Sequence, residues 1–175
     1  MWRTWYIGRK LKSYKSPHKV IILKEVPSKI KMMLAEGELA YFCTTDESLK
    51  PHVTPMLYLY DVEENKVFLM TTKDSKKVKN LRSNNLISLT VDVRNPENPF
   101  LNYGTMIQGT AHVKDLTENM EIVDRFTQKY PDFVGGRKLK GKLPPARPDT
   151  LIEVIPKLMV YWRGTRFTRW KDEQE

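Results

Sequence analysis

"KVFLMTTKDSKKVKNLRSNNLISL", residues 66 to 89, carries the pattern on which the fold turns. It opens with an apolar run of strand length, Lys66 to Thr72, and a second β-rich run begins at Leu86. Between the two, Asp74 or Ser75 can cap a helix running to about Asn84, with Val78 and Leu81 three apart on its buried side. Lys76 and Lys77 then fall in the first helical turn, just after Lys73. Each cation there costs roughly 0.3 to 1 kcal/mol at an exposed position, because the unpaired N–H groups of a helix start already carry positive charge. A phosphate reverses the sign by accepting those N–H bonds and the lysine charge together. Thr71, Thr72 and Ser75 add hydroxyl donors. A solvated lysine face on a basic protein explains the segment equally well, so on these residues alone both readings stand.

Strand signals surround the segment. "ELAYFCTT" (residues 38 to 45) leads into the turn-forming "DESLKP", then come "HVTPMLYLYDV" (52 to 62), "EEN" and "KVFLMTT". Connections this short require antiparallel neighbours. Further on lie "LISLTVDV" (86 to 93), "YGTMIQGTAHV" (103 to 113), whose Gly109 suggests a bulge, and "TLIEVIPKLMVYW" (150 to 162). Pro156 places that last strand at an edge or at a bulge. "SKIKMMLAEG" (28 to 37) reads as a short helix with Ser28 as its cap, and "TENMEIVDRFTQKY" (117 to 130) as another, with Met120, Val123 and Phe126, or Ile122 and Phe126, inward. The pattern is mainly β (α+β): about six strands with flanking short helices, a small barrel rather than a sandwich.

The chain has 175 residues, a formal charge of +9 and 40% hydrophobic residues, which fits one folded domain that attracts anions. Cys43 is the single cysteine, so no internal disulfide is possible. No uncharged stretch approaches the roughly 18 residues of a spanning helix, and the charged start holds no signal-peptide apolar core. These features predict a cytoplasmic protein without membrane contact. Residues 1 to 25 form a basic arm containing Trp2, Trp5, Tyr6 and Tyr14. Such a mixture can stack on nucleic acid, but an arm packed across a neighbouring subunit or left mobile is the plainer expectation, and nucleic acid is disfavoured as a partner. The basic, Gly/Pro-rich stretch from Lys129 to Asp149 reads as a surface loop or a substrate lid. No GxxxxGK[ST] or GxGxxG is present, His18, His52 and His112 are far apart, and no carboxylate pair stands out, so no metal site is expected. A phosphate cradle without an acid–base constellation suits a bound organic cofactor that carries the chemistry itself.

The order helix, "PHVTPM", "KVFLMTTKDSKKVKNLRSNNLISL", "MIQGTAHV", helix, "LIEVIPKLMVYWRG" resembles the pyridoxamine 5'-phosphate oxidase-related flavin-binding proteins of split β-barrel fold. The resemblance covers residues 26 to 164, leaving an arm (1–25) and a C-terminal tail (165–175). It implies FMN at a homodimer interface and electron or hydride transfer between the flavin and a small-molecule substrate, an oxidoreductase. A deazaflavin-dependent reductase and a non-catalytic flavin- or nucleic-acid-binding module are the alternatives. By the same resemblance Val53, Thr54, Met70 and Thr71 flank the cofactor, Ser75, Lys76 and Lys77 bind its phosphate, and Trp162 reaches it from the other subunit. The vitamin B6 oxidase itself carries arginine where Lys76 stands and Arg-Leu-His-Asp-Arg where this chain has "TRFTRWKDE". Pyridoxamine phosphate is therefore not the expected substrate.

Overall fold

Alternating buried residues along the strands dictate the architecture. The computed structural model describes residues 22–23, 25–131 and 148–172. The basic arm therefore lies almost wholly outside the described residues, as does most of the 129–149 loop. Among the described residues nine strands and three α-helices follow one another: β1 (Ile22–Leu23), α1 (Ser28–Glu36), β2 (Leu39–Thr45), β3 (Pro51–Leu57), β4 (Leu59–Asp61), β5 (Lys66–Thr71), α2 (Lys76–Ser83), β6 (Leu86–Val93), β7 (Tyr103–Asp115), α3 (Met120–Lys129), β8 (Thr150–Arg163) and β9 (Arg166–Lys171). These strands form one mainly antiparallel sheet in the order β1-β9-β8-β7-β6-β2-β3, with β5 joining β4 to β8; among the described residues only β1 pairs in parallel, with β9.

The long strand β8 explains why the sheet does not close. β7 pairs with it along its whole length, whereas on the opposite side β5 takes Thr150–Val154 and β9 takes Leu158–Arg163. Pro156, which has no N–H to give, falls in the gap between those two partners. Of the two positions expected for it, the bulge is the one found: the β7–β8 register shifts between Gln108 and Gly109, and Gly109 stands opposite Pro156. A Cβ at Gly109 would lie 2.1 Å from the Ile155 carbonyl oxygen, so the residue must be glycine for the backbones to approach this closely.

Three strands exceed the expected six. β1 is very short, β4 splits from β3 at the fully buried Tyr58, and β9 forms from residues expected as part of a tail. Gly164, with φ 55°, turns the chain between Arg163 and Arg166, which face each other across a two-residue hairpin loop. Helix α1 is also capped differently: Pro27 is its N-cap and Ser28 its first helical residue.

The main core gathers Ala40 and Phe42 of β2, Ile87, Leu89 and Val91 of β6, Ile107 of β7 and Met159 of β8 under Ile30, Met33 and Leu34 of α1 and Val78 and Leu81 of α2. A second cluster packs Phe126 and Tyr130 at α3 against Leu59, Phe68, Met70 and Leu151, with Ile122 and Val123 beside them; Met120 is exposed. β5 is thus covered on both faces, which is why its Val67–Met70 run is uninterruptedly apolar.

Candidate functional site

Strand β5 delivers Met70 and Thr71 to the end of the sheet, and a tight turn converts it into α2. Ser75 N–H donates to the Thr72 carbonyl at 3.1 Å to close that turn, and Ser75 is the N-cap of α2 with extended backbone (φ −65°, ψ 150°). Asp149 pins the outside of the turn: its Oδ1 accepts the Lys73 N–H at 2.7 Å and the Thr150 hydroxyl at 2.7 Å, and its own N–H donates to the Thr71 carbonyl. The Thr150 and Lys73 bonds hold the Asp149 carboxyl below its usual range.

A cavity of about 380 Å³ opens against this junction. Its apolar wall is built from Leu39, Pro55, Met56, Leu57, Met70, Phe126 and Pro148, and its polar side from Thr54, Thr71, Thr72, Ser75 and Lys77. On the polar side the hydrogen bonds have a defined sense. Lys77 Nζ can only donate, and it does so to Thr71 Oγ1 at 3.2 Å. Thr71 therefore passes its hydrogen to Ser75 Oγ, 3.3 Å away, which leaves the Ser75 hydroxyl hydrogen free to donate. The Ser75 side chain makes no capping bond and the first turn of α2 contains no acidic residue, so the helix start is not satisfied from its own sequence. Among the described residues no carboxylate forms an ion pair with Lys77, and burial alone pushes its ammonium below the usual lysine value. A half-buried cation, a free hydroxyl and a helix start therefore converge on one cavity. That arrangement can bind an anion.

The structure brings together Thr54, Met70, Thr71, Ser75 and Lys77. It does not bring Lys76, whose Nζ pairs with Asp46 Oδ2 at 3.3 Å on the neighbouring 46–50 turn. Nor does it bring Val53, which is 57% exposed and sits opposite Cys43 on the β2–β3 ladder. Trp162 lies opposite Gly104 on β7 with its ring directly over that residue, apart from the cavity of its own chain. Leu39, Leu57 and Phe126 were not legible as site residues. They arrive from β2, the end of β3 and α3 through long-range packing, which leaves no local signature. Among the described residues no group of three or more His, Cys, Asp or Glu is placed to hold a metal ion, and no helix is long and apolar enough to cross a membrane.

Solved structures share this architecture. An F420 reductase is 21% identical, with 77% of this chain and 98% of that one covered and a TM-score of 0.55. General stress protein 26 from Bacillus anthracis str. Sterne is 17% identical, covering 81% and 95%, with a TM-score of 0.55. A heme binding protein from Mycobacterium smegmatis is 9% identical, covering 85% and 60%, with a TM-score of 0.60. At such identities the likeness shows the fold alone. No curated protein matches the sequence. A sequence profile described as pyridoxamine 5'-phosphate oxidase matches residues 26–163, from the approach to α1 to the last residue of β8. With most of its length inside that match and the neighbours' split-barrel sheet around it, the chain belongs to the pyridoxamine 5'-phosphate oxidase family.

Proposed function

We propose that the protein binds FMN in this cavity and serves as a flavin-dependent oxidoreductase acting on a small molecule. The observation that supports it most is the uncapped start of α2 beside a desolvated Lys77 that has no carboxylate partner among the described residues. The donor set fits a phosphate monoester: Lys77 supplies charge, Ser75 a free hydroxyl hydrogen, and the first turn of α2 its N–H groups. The apolar wall of Met56, Leu57, Met70 and Phe126 suits an aromatic ring, and the volume of about 380 Å³ lies in the range of small-molecule sites. When bound, FMN supplies the redox chemistry. The chain's own residues neutralise the phosphate, orient the ring along β3 and keep water from one face.

Burial of the second face is assigned to a partner copy. Val53 on β3 is exposed, as is Leu39 on the neighbouring β2, at 45%, apolar side chains that a two-fold partner can cover while bringing its own Trp162 to the flavin. A deazaflavin held in the same cradle, or flavin binding without turnover, are the competing readings.

Calorimetric titration separates the phosphate cradle from a generic apolar pocket. FMN is expected to bind at least tenfold more tightly than riboflavin, because one or more charge-assisted hydrogen bonds of about 1.5 to 3 kcal/mol are lost with the phosphate. Equal affinities, or no binding of either, contradict the reading.

A further inference from the structure

His52, Thr54 and Met56 alternate along β3 and so share one side of the sheet. Their ladder partners on β2 are Thr44, Phe42 and Ala40, all buried, so this row faces inward. Thr54 lines the cavity, and its Oγ1 lies 3.1 Å from His52 Nε2; His52 itself stands behind it and does not line the cavity. The rest of the β3 wall offers little polarity: Pro55 has no N–H, and Met56 and Leu57 are apolar. The Thr54 hydroxyl is thus the polar side-chain group that β3 presents to a ligand, and it has a single hydrogen. If that hydrogen goes to His52, the cavity sees only lone pairs. If His52 Nε2 carries the hydrogen and donates it, the Thr54 O–H is released toward the cavity.

We propose that His52 is a positioning residue that makes Thr54 a hydrogen-bond donor to an acceptor group of the bound ligand, such as a ring carbonyl or ring nitrogen. Its ligand arm rests on the FMN reading, whereas the state of the pair can be read in the ligand-free protein. Thr is β-branched and stiff at χ1, so a fixed partner on one side of its hydroxyl also fixes the direction of the other bond.

Two measurements test the inference. In ligand-free protein with ¹⁵N-labelled histidine, the His52 imidazole should carry its proton on Nε2 at neutral pH, and Thr54→Val should move the Nε2 resonance. An unprotonated Nε2, or a resonance indifferent to Thr54→Val, overturns the proposal whatever the flavin result. In FMN titrations, His52→Leu and Thr54→Val should each weaken binding about three- to tenfold. The double variant should be no weaker than the worse single one, and His52→Gln, whose amide can donate, should recover most of the loss. Additive losses, or no rescue by glutamine, overturn the proposal, because a merely structural histidine would give them. Should His52→Leu fail to fold, the resonance of the wild type and of Thr54→Val decides. If the wild type binds no flavin, the cofactor reading fails, and the ligand-free resonances still judge the pair.

Discussion

Lys77 Nζ donates to Thr71 Oγ1 at 3.2 Å, across the junction where β5 ends and α2 begins. One residue earlier, Lys76 is drawn the other way by Asp46 at 3.3 Å, with more than half of its side chain exposed. The two adjacent lysines therefore have different work, and substitution should separate them. Lys77→Ala is expected to weaken FMN by tenfold or more, from loss of a charge-assisted bond worth about 1.5 to 3 kcal/mol. Lys76→Ala removes a surface pair worth about 0 to 1 kcal/mol and should change FMN affinity much less. Lys73→Ala and Lys79→Ala should resemble Lys76→Ala, and Ser75→Ala should fall between. Equal losses at all the lysines would identify a general polyanion surface instead.

The depressed Lys77 ammonium gives FMN binding a pH dependence. Burial places its folded value below the ordinary 10.5, so just below that value the unfolded chain holds more protons than the ligand-free protein. Stability without ligand therefore rises with pH through that window, and Lys129, also lowered by burial, adds in the same direction. A bound phosphate favours the ammonium again, so binding takes up protons there and FMN affinity should fall as pH rises through the window. Titrations across the alkaline range check this. The fall should be present in the wild type and largely absent in Lys77→Ala.

Glu153, buried on β8, gives stability a second pH dependence, in acid. Burial raises its carboxyl, but Lys114 at 2.8 Å and Lys66 at 3.3 Å more than offset this and leave it below the usual range. Its contribution is present above the ordinary glutamate value of 4.5 and is lost as pH falls through the lower folded value. Glu153→Gln should cost about 1 to 3 kcal/mol at neutral pH. Denaturant midpoints measured toward acid should then fall less steeply in the variant than in the wild type. Parallel slopes would mean that the lysines contribute nothing specific.

Gly109→Ala tests the junction between the split halves of the sheet. The added methyl meets the Ile155 carbonyl oxygen at 2.1 Å, and backbone cannot move aside as a side chain could. A loss of about 1 to 3 kcal/mol or more is expected in thermal or denaturant unfolding. The folded fraction should still bind FMN with unchanged stoichiometry, since the bulge lies outside the cavity lining. An unaffected stability would show that the β7–β8 register at Pro156 differs from the one described.

Where local pattern carries the information, the sequence was readable. β5 and β6 begin where apolar runs begin, and Ser75 stands at the start of α2 because its neighbours Val78 and Leu81 set the helix phase. β9 is not legible because "RFTRWK" carries three cations, Arg166, Arg169 and Lys171, without a strict alternation and so reads as a tail, although the preceding Gly164–Thr165 is a hairpin loop signal. Within the site, the limits were geometric. Consecutive helical residues point about 100° apart and consecutive strand residues to opposite faces, so local pattern alone does not say which of Lys76 and Lys77, or of Val53 and Thr54, lines the cavity of its own chain. Choosing between members of each pair needs Asp46 and the β2–β3 register, both set by tertiary pairing.

The identity of the small molecule carried by the purified protein tests the central claim most directly. Protein prepared without added cofactor should be yellow, with a flavin absorption spectrum, and should release FMN on denaturation, identified by its mass. Colourless protein that also fails to take up added FMN, or protein carrying a different chromophore in this cavity, would contradict the account.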